Sequence, residues 1–187
     1  LGCRVIGARV RGKKHKHEGT NCDDWYETAS LEDITFLVVS DGAGSKRFSR
    51  IGAQASCRAA AGYLVKAFAA ALADSSSLRE ELRQDMSRPE CMEACGVLAG
   101  LVQQSVIKAY EAVESACYQR VRDPAYQQVL GRALELTDLS STLLVAAIVP
   151  LEKTAKEHLI ITCQVGDGMI AALHTAGDFA SSVKLMG

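Results

Sequence analysis

Residues 34–45 read Ile-Thr-Phe-Leu-Val-Val-Ser-Asp-Gly-Ala-Gly-Ser, and this stretch decides the fold prediction. Its apolar run at residues 34–39 predicts a strand buried on both faces, because both sets of alternating side chains are largely apolar. The run ends at Asp41, where Gly42 and Gly44 permit tight turns and close approach of a ligand to the backbone. The stretch therefore predicts a carboxylate held at the edge of a core, although many Asp-Gly turns serve only to reverse the chain.

The composition is that of an ordinary globular protein. The chain has 187 residues, of which 48% are hydrophobic and 23% charged, with a net charge of -1. This predicts a single domain with a sizeable core and disfavours a general affinity for nucleic acid. No apolar stretch approaches the roughly 20 residues that would cross a membrane. Because the chain begins Leu-Gly-Cys-Arg, without an initiator Met or a signal-peptide pattern, we expect residues 1–187 to be an excerpt of a longer protein.

The seven cysteines are odd in number and scattered along the chain. This usage predicts a reducing, cytoplasmic location rather than a secreted disulfide framework. Cys91 and Cys95 are one helical turn apart and could meet a metal ion. No second pair with zinc-site spacing accompanies them, so buried free thiols are the favoured interpretation.

Two adjacent acids, Asp23 and Asp24, precede the apolar run by about ten residues, and a strand should begin near Trp25. A hairpin between this strand and the apolar run would place Asp23 or Asp24 beside Asp41. Carboxylates gathered in this way repel one another and raise each other's pKa unless a cation lies between them. Hard oxygen ligands favour Mg²⁺, Mn²⁺ or Ca²⁺ over zinc.

The remaining pattern mixes helices and strands. Helices are predicted over residues 50–73 with Ser49 as the N-cap, near 78–86, over 91–121 as an amphipathic helix packed on the core, and near 126–136. Strands are predicted over residues 3–10, 141–149, 157–164 and 169–173, with a hairpin loop at 151–156. The strand at 157–164 leads into Gly166-Asp167-Gly168, which repeats the arrangement at Asp41.

A short basic run occupies residues 11–17, Arg-Gly-Lys-Lys-His-Lys-His. It is interpreted either as a solvated loop or as a patch that attracts phosphate to a nearby site. The run has no interleaved aromatic residues, which makes it a poor platform for single-stranded nucleic acid.

Four motifs in order resemble the type 2C metal-dependent Ser/Thr protein phosphatases, and are most similar to a bacterial branch of that family. They are His-x-x-x-Gly-Thr-x-Cys-x-Asp (15–24), Asp-Gly-Ala-Gly-Ser (41–45), Ser-Thr-Leu (141–143) and Val-Gly-Asp-Gly (165–168). The resemblance implies an α+β fold, an α-β-β-α sandwich of two antiparallel sheets flanked by helices.

The resemblance also implies a site for two Mg²⁺ or Mn²⁺ ions, with a third ion at a weaker position. Asp41 would bridge two ions, and the Gly42 carbonyl would complete one of them. Asp23 and Asp24 match the family's acidic pair, with Asp24 and Asp41 as the catalytic residues, and Asp167 would lie near the third ion. Ser141 and Thr142 match a structural motif.

The sequence departs from the family pattern at three places. The phosphate-binding Arg of eukaryotic members is replaced by Gly19, and the His after Asp-Gly by Ala43. Lys14, Lys16 or His17 could bind phosphate instead. The family's later Asp-Gly and Asp-Asn motifs are expected beyond Gly187, so the sandwich is expected to be incomplete at its C-terminus.

The leading hypothesis is a cytoplasmic protein phosphatase that hydrolyses phosphoserine and phosphothreonine with a metal-activated water. Its partner would be a phosphoprotein substrate, such as the target of a partner Ser/Thr kinase, with no nucleic acid or membrane involved. An alternative is a catalytically inactive relative that binds a phosphoprotein or a regulatory partner. A third hypothesis is an anion- or nucleic-acid-binding module that uses residues 11–17.

Overall fold

The computed structural model describes residues 4–17, 19, 21–75, 77–151, 157–173 and 183–186. Its α-helices are α1 (Lys13–His17), α2 (Ser49–Asp74), α3 (Leu78–Glu81), α4 (Pro89–Tyr118) and α5 (Pro124–Leu130), and Leu136–Leu139 form a 3₁₀ helix. Its strands are β1 (Trp25–Leu31), β2 (Ile34–Ser40), β3 (Leu143–Pro150), β4 (His158–Val165), β5 (Ile170–Leu173) and β6 (Val183–Met186). All strand pairs of the described residues are antiparallel, and the predicted α+β class is confirmed.

A four-stranded sheet in the order β1-β2-β3-β4 forms the framework. β1 and β2 make the predicted hairpin, in which Leu31 pairs with Ile34 beside the turn and Trp25 pairs with Ser40 at the far end. Glu32 in the turn has a φ of 53°, a left-handed conformation that residues other than glycine seldom adopt. This register places the residues just before β1 next to those just after β2.

Helices α2 and α4 pack on one face of this sheet and enclose the main core. Phe36 of β2 meets Phe68 of α2 edge to face, with ring centroids 4.9 Å apart. Small side chains on α2, such as the fully buried Cys57, let the helix approach the sheet closely. Leu98 and Val102 of α4 are also buried, in agreement with core packing of the predicted amphipathic helix.

The prediction that β2 is buried on both faces holds only near the start of the strand, where Thr35 is buried. Phe36 and Val38 are fully buried beneath the helices, whereas Leu37 is half-buried and Val39 is 47% exposed. The reason is that α2 and α4 cover only the face that carries Phe36. An apolar run alone does not reveal which of its two faces the rest of the chain covers.

Other local predictions need correction. Residues 4–10, predicted as a strand, are exposed and have no regular secondary structure, because their backbone joins no sheet. The basic run, interpreted as a loop, contains α1. Ser49 is the first residue of α2 rather than its N-cap, which is Phe48. The Ser49 hydroxyl donates to the Lys46 carbonyl instead of accepting from a helix amide.

The last predicted helix ends earlier than expected. α5 stops at Leu130, where Gly131 adopts a φ of 69° as a left-handed cap, and the 3₁₀ helix follows after a short connection. β3 and β4 pair from Leu143–Val165 to Pro150–His158, as the predicted hairpin requires. The predicted loop at 151–156 lies outside the described residues except for Leu151. β5 was predicted and β6 was not.

The two-sheet arrangement is present in part. The four-stranded sheet carries α2 and α4 on one face, and β5 and β6 form a separate two-stranded antiparallel sheet.

The described cysteines are free thiols, and burial raises the pKa of Cys57 to about 12. Among the described residues, no helix combines the length and the apolar character that crossing a membrane requires.

Candidate metal centre

The ends of β1 and β2 bring Asp24 and Asp41 together. Because Trp25 pairs with Ser40, the two acids emerge side by side at one edge of the sheet. Asp24 acts on the carboxyl group of Asp41 and is, after partial burial, a cause of the raised pKa of Asp41. The Cys22 thiol also donates to Oδ2 of Asp24, at 3.4 Å, and orients this carboxyl group.

The pKa of Asp41 is raised by its surroundings. Partial burial of the carboxyl group is the largest cause, followed by the hydrogen bond to Asp24 and by the charges of Asp24, Asp167 and Asp23. Acids from three separate parts of the sequence therefore act electrostatically at Asp41. Such a cluster of hard oxygen donors suits a divalent cation, which would relieve the repulsion.

Not all four carboxylates converge on one point. In the described part of the chain, no three His, Cys, Asp or Glu side chains are arranged closely enough to enclose a single ion. Mg²⁺ typically retains several waters and is held by one or two carboxylates, so the Asp24–Asp41 pair alone meets its requirement. The donor chemistry of these carboxylates is therefore the kind that Mg²⁺ or Mn²⁺ prefers.

Thr142 fixes the backbone at Asp41. The Asp41 N–H donates to the Thr142 hydroxyl at 3.0 Å, and the Thr142 N–H donates to the Asp41 carbonyl at 2.8 Å. The Ser40 hydroxyl donates to the Thr142 carbonyl. These bonds make the Ser-Thr motif a positioning element for Asp41, a role that the sequence alone indicated only as structural.

Thr142 also supports the turn that carries Asp167. A Cβ added at Gly166, whose φ is 97°, would lie 2.7 Å from Cγ2 of Thr142. The glycine therefore permits both the left-handed backbone and the close approach. Thr142 consequently lies between the two Asp-Gly turns, with its hydroxyl toward Asp41 and its methyl toward Gly166.

Gly42 lies against the backbone of the acidic pair. A Cβ at this position would be 2.6 Å from the Asp23 carbonyl oxygen, 2.9 Å from its Cβ and 2.9 Å from Oγ of Ser49. Gly44, two residues further on, has no atom within 4 Å of the corresponding position. Only the first glycine of the Asp-Gly-Ala-Gly stretch is therefore required for the approach of Asp23.

An ion pair between the buried Asp138 and the partly exposed Arg132 lies in the segment that bonds to this loop. The Ala43 N–H donates to the Ser140 carbonyl at 3.0 Å, directly after the 3₁₀ helix. Within that helix, Asp138 is 3% exposed and accepts two hydrogen bonds of 2.7 Å from the Arg132 guanidinium. These bonds hold the pKa of Asp138 below its usual value.

The lowered pKa of Asp138 predicts a pH-dependent contribution to stability. A carboxyl group whose pKa is depressed by folding stabilises the protein above its unfolded-state pKa and loses this effect as pH falls through the folded value. We expect Asp138→Asn to lower the urea midpoint at pH 7, and the difference from wild type to shrink below about pH 4. Asp74→Asn, at the exposed end of α2, should leave the midpoint nearly unchanged. A loss in Asp138→Asn that is equal at pH 7 and pH 3 would contradict this assignment.

An arginine that sequence reasoning missed links the N-terminal segment to the acids. Nη1 of Arg9 donates to the Asp24 carbonyl at 3.0 Å, and its guanidinium carbon lies 4.3 Å from the centroid of the Trp25 ring. Arg58 and Arg50 lie 5.3 and 5.9 Å from the same ring. In the sequence, only the aromatic residue Trp25, directly after the acidic pair, indicated that cations could gather here.

The basic run forms α1 and the two residues before it. Lys16 and His17 are exposed on α1, and the side chain of Lys14 lies outside the described set. Their predicted contact with phosphate stays a prediction. Gly19, at the place of the expected Arg, has a φ of 67°, a conformation that an Arg would adopt only with strain.

Comparison with known families decides the relationship. The family model for protein phosphatase 2C matches residues 11–184 of the chain. The chain belongs to the protein phosphatase 2C family. The resemblance found in the four sequence motifs is thereby confirmed, and the chain is a phosphatase-type protein. No curated protein and no solved structure matches it. The bacterial branch and the expected C-terminal extension stay predictions.

Membership in the protein phosphatase 2C family gives Gly42 a testable role. We expect Gly42→Ala to push the Asp23 segment away from Asp41 and to reduce phosphatase activity by roughly 100-fold, the effect of a displacement of about 1 Å at a reacting centre. The measurement is kcat/KM for p-nitrophenyl phosphate with Mn²⁺. Gly44→Ala is the matched control and should retain activity, because its added methyl meets open space. Equal activity in the two variants would show that the contact with Asp23 is unimportant.

Proposed function

We propose that this chain is a Mg²⁺- or Mn²⁺-dependent protein phosphatase that hydrolyses phosphoserine and phosphothreonine. The observation that carries the proposal is the pairing of Trp25 with Ser40, which places Asp24 and Asp41 side by side at one sheet edge, where Asp24, Asp167 and Asp23 all act electrostatically on Asp41. Family membership supplies the class of reaction, and the acids supply the reason for a cation.

Each residue has a role in this proposal. Asp41 and Asp24 would hold the cations with the Gly42 carbonyl, while Asp23 acts directly or through water and Asp167 serves a weaker third position. When bound, a pair of divalent cations lowers the pKa of a water molecule and offsets the charge of the phosphoryl oxygens. Thr142 keeps the Asp41 backbone in place through two hydrogen bonds. No protein nucleophile is needed for this reaction.

The test is hydrolysis by the purified protein in Mn²⁺, Mg²⁺ or EDTA. We expect turnover of p-nitrophenyl phosphate and of phosphothreonine and phosphoserine peptides with either cation, and its loss on chelation. A phosphotyrosine peptide of the same sequence should be a poor substrate. In parallel, Mn²⁺ should raise the melting temperature, because a ligand that binds only the folded state stabilises it. Undiminished hydrolysis in EDTA would overturn the proposal.

The second candidate is a catalytically inactive module that binds a phosphoprotein or a regulatory partner. Ala43 favours it, because this residue occupies the place of the proton-donating His of eukaryotic members and its methyl side chain cannot donate a proton. Retained binding of a phosphopeptide, with no metal-dependent turnover under any condition above, would establish this alternative. Turnover with Mn²⁺ would exclude it.

A further inference from the structure

A large groove opens beside the acidic cluster, between the loop after β2, the start of α2 and α5. Its volume is about 910 Å³, near the upper end of the range of about 300–1,000 Å³ for ligand pockets. A phosphoryl group alone would fill a small part of it. The lining residues are Asn21, Asp23, Gly44, Ser45, Lys46, Arg47, Phe48, Arg50, Ile51, Gln54, Tyr126 and Val129.

The groove is predominantly cationic. Lys46, Arg47 and Arg50 line it against a single acid, Asp23. Among the described residues, no carboxylate forms an ion pair with any of these three side chains. Lys46 also acts on the buried Asp138, and Arg50 lies 5.9 Å from the Trp25 ring, so part of this charge is already engaged. The lining still carries an excess of positive charge that can attract an acidic segment.

The groove also has an apolar floor, and it is continuous with the candidate metal centre. Phe48 and Tyr126 pack together in it, with ring centroids 4.7 Å apart, and Val129 is 52% exposed at its side. Asp23 belongs both to the groove lining and to the acids that act on Asp41. A chain segment lying in the groove would therefore have its neighbouring residues at the metal centre.

We propose that this groove binds the segment of a phosphoprotein that flanks the phosphorylated residue and selects segments rich in Asp and Glu. The proposal rests on the proposed function for the phosphorylated residue itself. The volume of the groove is large enough for several residues of an extended peptide. Lys46, Arg47 and Arg50 attract acidic side chains, and Phe48 and Tyr126 contact the aliphatic parts. For residues 11–17, phosphate attraction was one of two interpretations of the sequence, whereas the cations of the groove are Lys46, Arg47 and Arg50.

Peptide binding tests the groove separately from catalysis. The probe is a fluorescent peptide with a phosphonate analogue of phosphothreonine, which resists hydrolysis, flanked either by Glu and Asp or by Gln and Asn. With Mn²⁺ at low ionic strength, we expect the acidic peptide to bind about tenfold more tightly, as two or three exposed charge pairs would provide. The preference should decline in 0.5 M NaCl because of screening. Equal affinity for the two peptides would overturn the proposal.

Charge reversal locates the interaction. Arg47→Glu/Arg50→Glu should lose the preference for the acidic peptide and favour a version flanked by Lys, while Lys66→Gln, exposed further along α2, should behave like wild type. An acidic preference that survives the double reversal would place binding on another surface and overturn the proposal. Thermal melts of the double variant serve as the control for folding. A gain of affinity for the Lys-flanked peptide would also require a folded groove.

The outcomes for the groove and for catalysis are distinguishable. If Mn²⁺-dependent turnover occurs without any acidic preference, the groove proposal fails and the proposed function stands. If the acidic preference follows the Arg47 and Arg50 charges but no phosphopeptide is hydrolysed, catalysis fails and the groove proposal stands. For an active enzyme, kcat/KM of acidic and neutral phosphothreonine peptides should differ by the same factor as their affinities.

Discussion

Replacing Asp41 with Asn abolishes phosphatase activity in our expectation, with a loss in kcat/KM of more than about 100-fold. Removing a residue that only hydrogen-bonds to a metal ligand typically costs up to about 100-fold in metal affinity or activity. Because Asp41 is proposed to be a ligand itself, the loss should be larger. The amide keeps the shape of the side chain but lacks the charge that holds a cation. The measurement is p-nitrophenyl phosphate hydrolysis across a Mn²⁺ titration.

The same substitution should not destabilise the protein when cations are absent. Folding raises the pKa of Asp41, so the folded state holds the proton more tightly and ionisation works against folding. This penalty is absent below the ordinary pKa of 3.8, and grows as pH rises from there through the folded-state value. In EDTA at pH 7, Asp41→Asn should therefore melt at the same temperature as wild type or higher. Its stabilisation by Mn²⁺ should be largely lost.

Asp33→Asn is the matched control for this experiment. Asp33 lies in the turn at the opposite end of the same hairpin, where it pairs with Arg79 on the surface. The control should keep full activity and the full response of the melting temperature to Mn²⁺. Full activity in Asp41→Asn would remove Asp41 from the centre, and a lowered melting temperature in EDTA would contradict the electrostatic argument.

The second large effect concerns Gly52 in α2. A Cβ at this position would overlap the carbonyl oxygen of Leu139, in the 3₁₀ helix that precedes the Ser-Thr motif. We expect Gly52→Ala to reduce the free energy of unfolding by about 2 kcal/mol, within the usual cost of overpacking. This is a net figure, because alanine's higher helix propensity offsets about 1 kcal/mol. Urea denaturation at constant m-value measures the change.

Gly62 provides the control, since it belongs to the same helix and is exposed. Its added methyl group would meet no atom within 4 Å. Gly62→Ala should therefore stabilise the protein by about 0.5–1 kcal/mol through helix propensity and chain entropy. The two substitutions are chemically identical. If they change the free energy of unfolding in opposite directions, the difference is due to the contact with Leu139. Stabilisation by both variants would mean that α2 moves away from the 3₁₀ helix at little cost.

Much of the fold follows from the sequence because its elements have strong periodic patterns. The hairpin before Asp41, the long α2 and α4, and the β3–β4 pair were each indicated by local signals. The errors occur where tertiary contacts decide. Val39 is exposed because the helices cover only the other face of β2, and residues 4–10 are irregular because no strand pairs with them. Ser49 looked like a helix cap, but its hydroxyl bonds to Lys46.

The candidate site divides in the same way. Adjacent acids and Asp-Gly turns predicted that Asp24 would lie beside Asp41, and the register of the hairpin confirms this placement. The positioning residues could not be found so easily. Arg9 contacts Asp24 across 15 residues of chain, and nothing in its local sequence indicates a partner. The groove cations, Arg47 and Arg50, lie in a stretch whose pattern predicts only a turn and the start of a helix.

The bonds between Asp41 and Thr142 span 101 positions of the chain, so they form late during synthesis. A nascent polypeptide emerges from its N-terminus, and the partner of Asp41 leaves the ribosome only after α2 and α4 have done so. Until then, the acids at positions 24 and 41 lack the β3 scaffold that orders their backbone. In the proposed function, cation binding would therefore depend on completion of the β2–β3 pairing, and a chain interrupted before position 142 would lack the bonds that order Asp41.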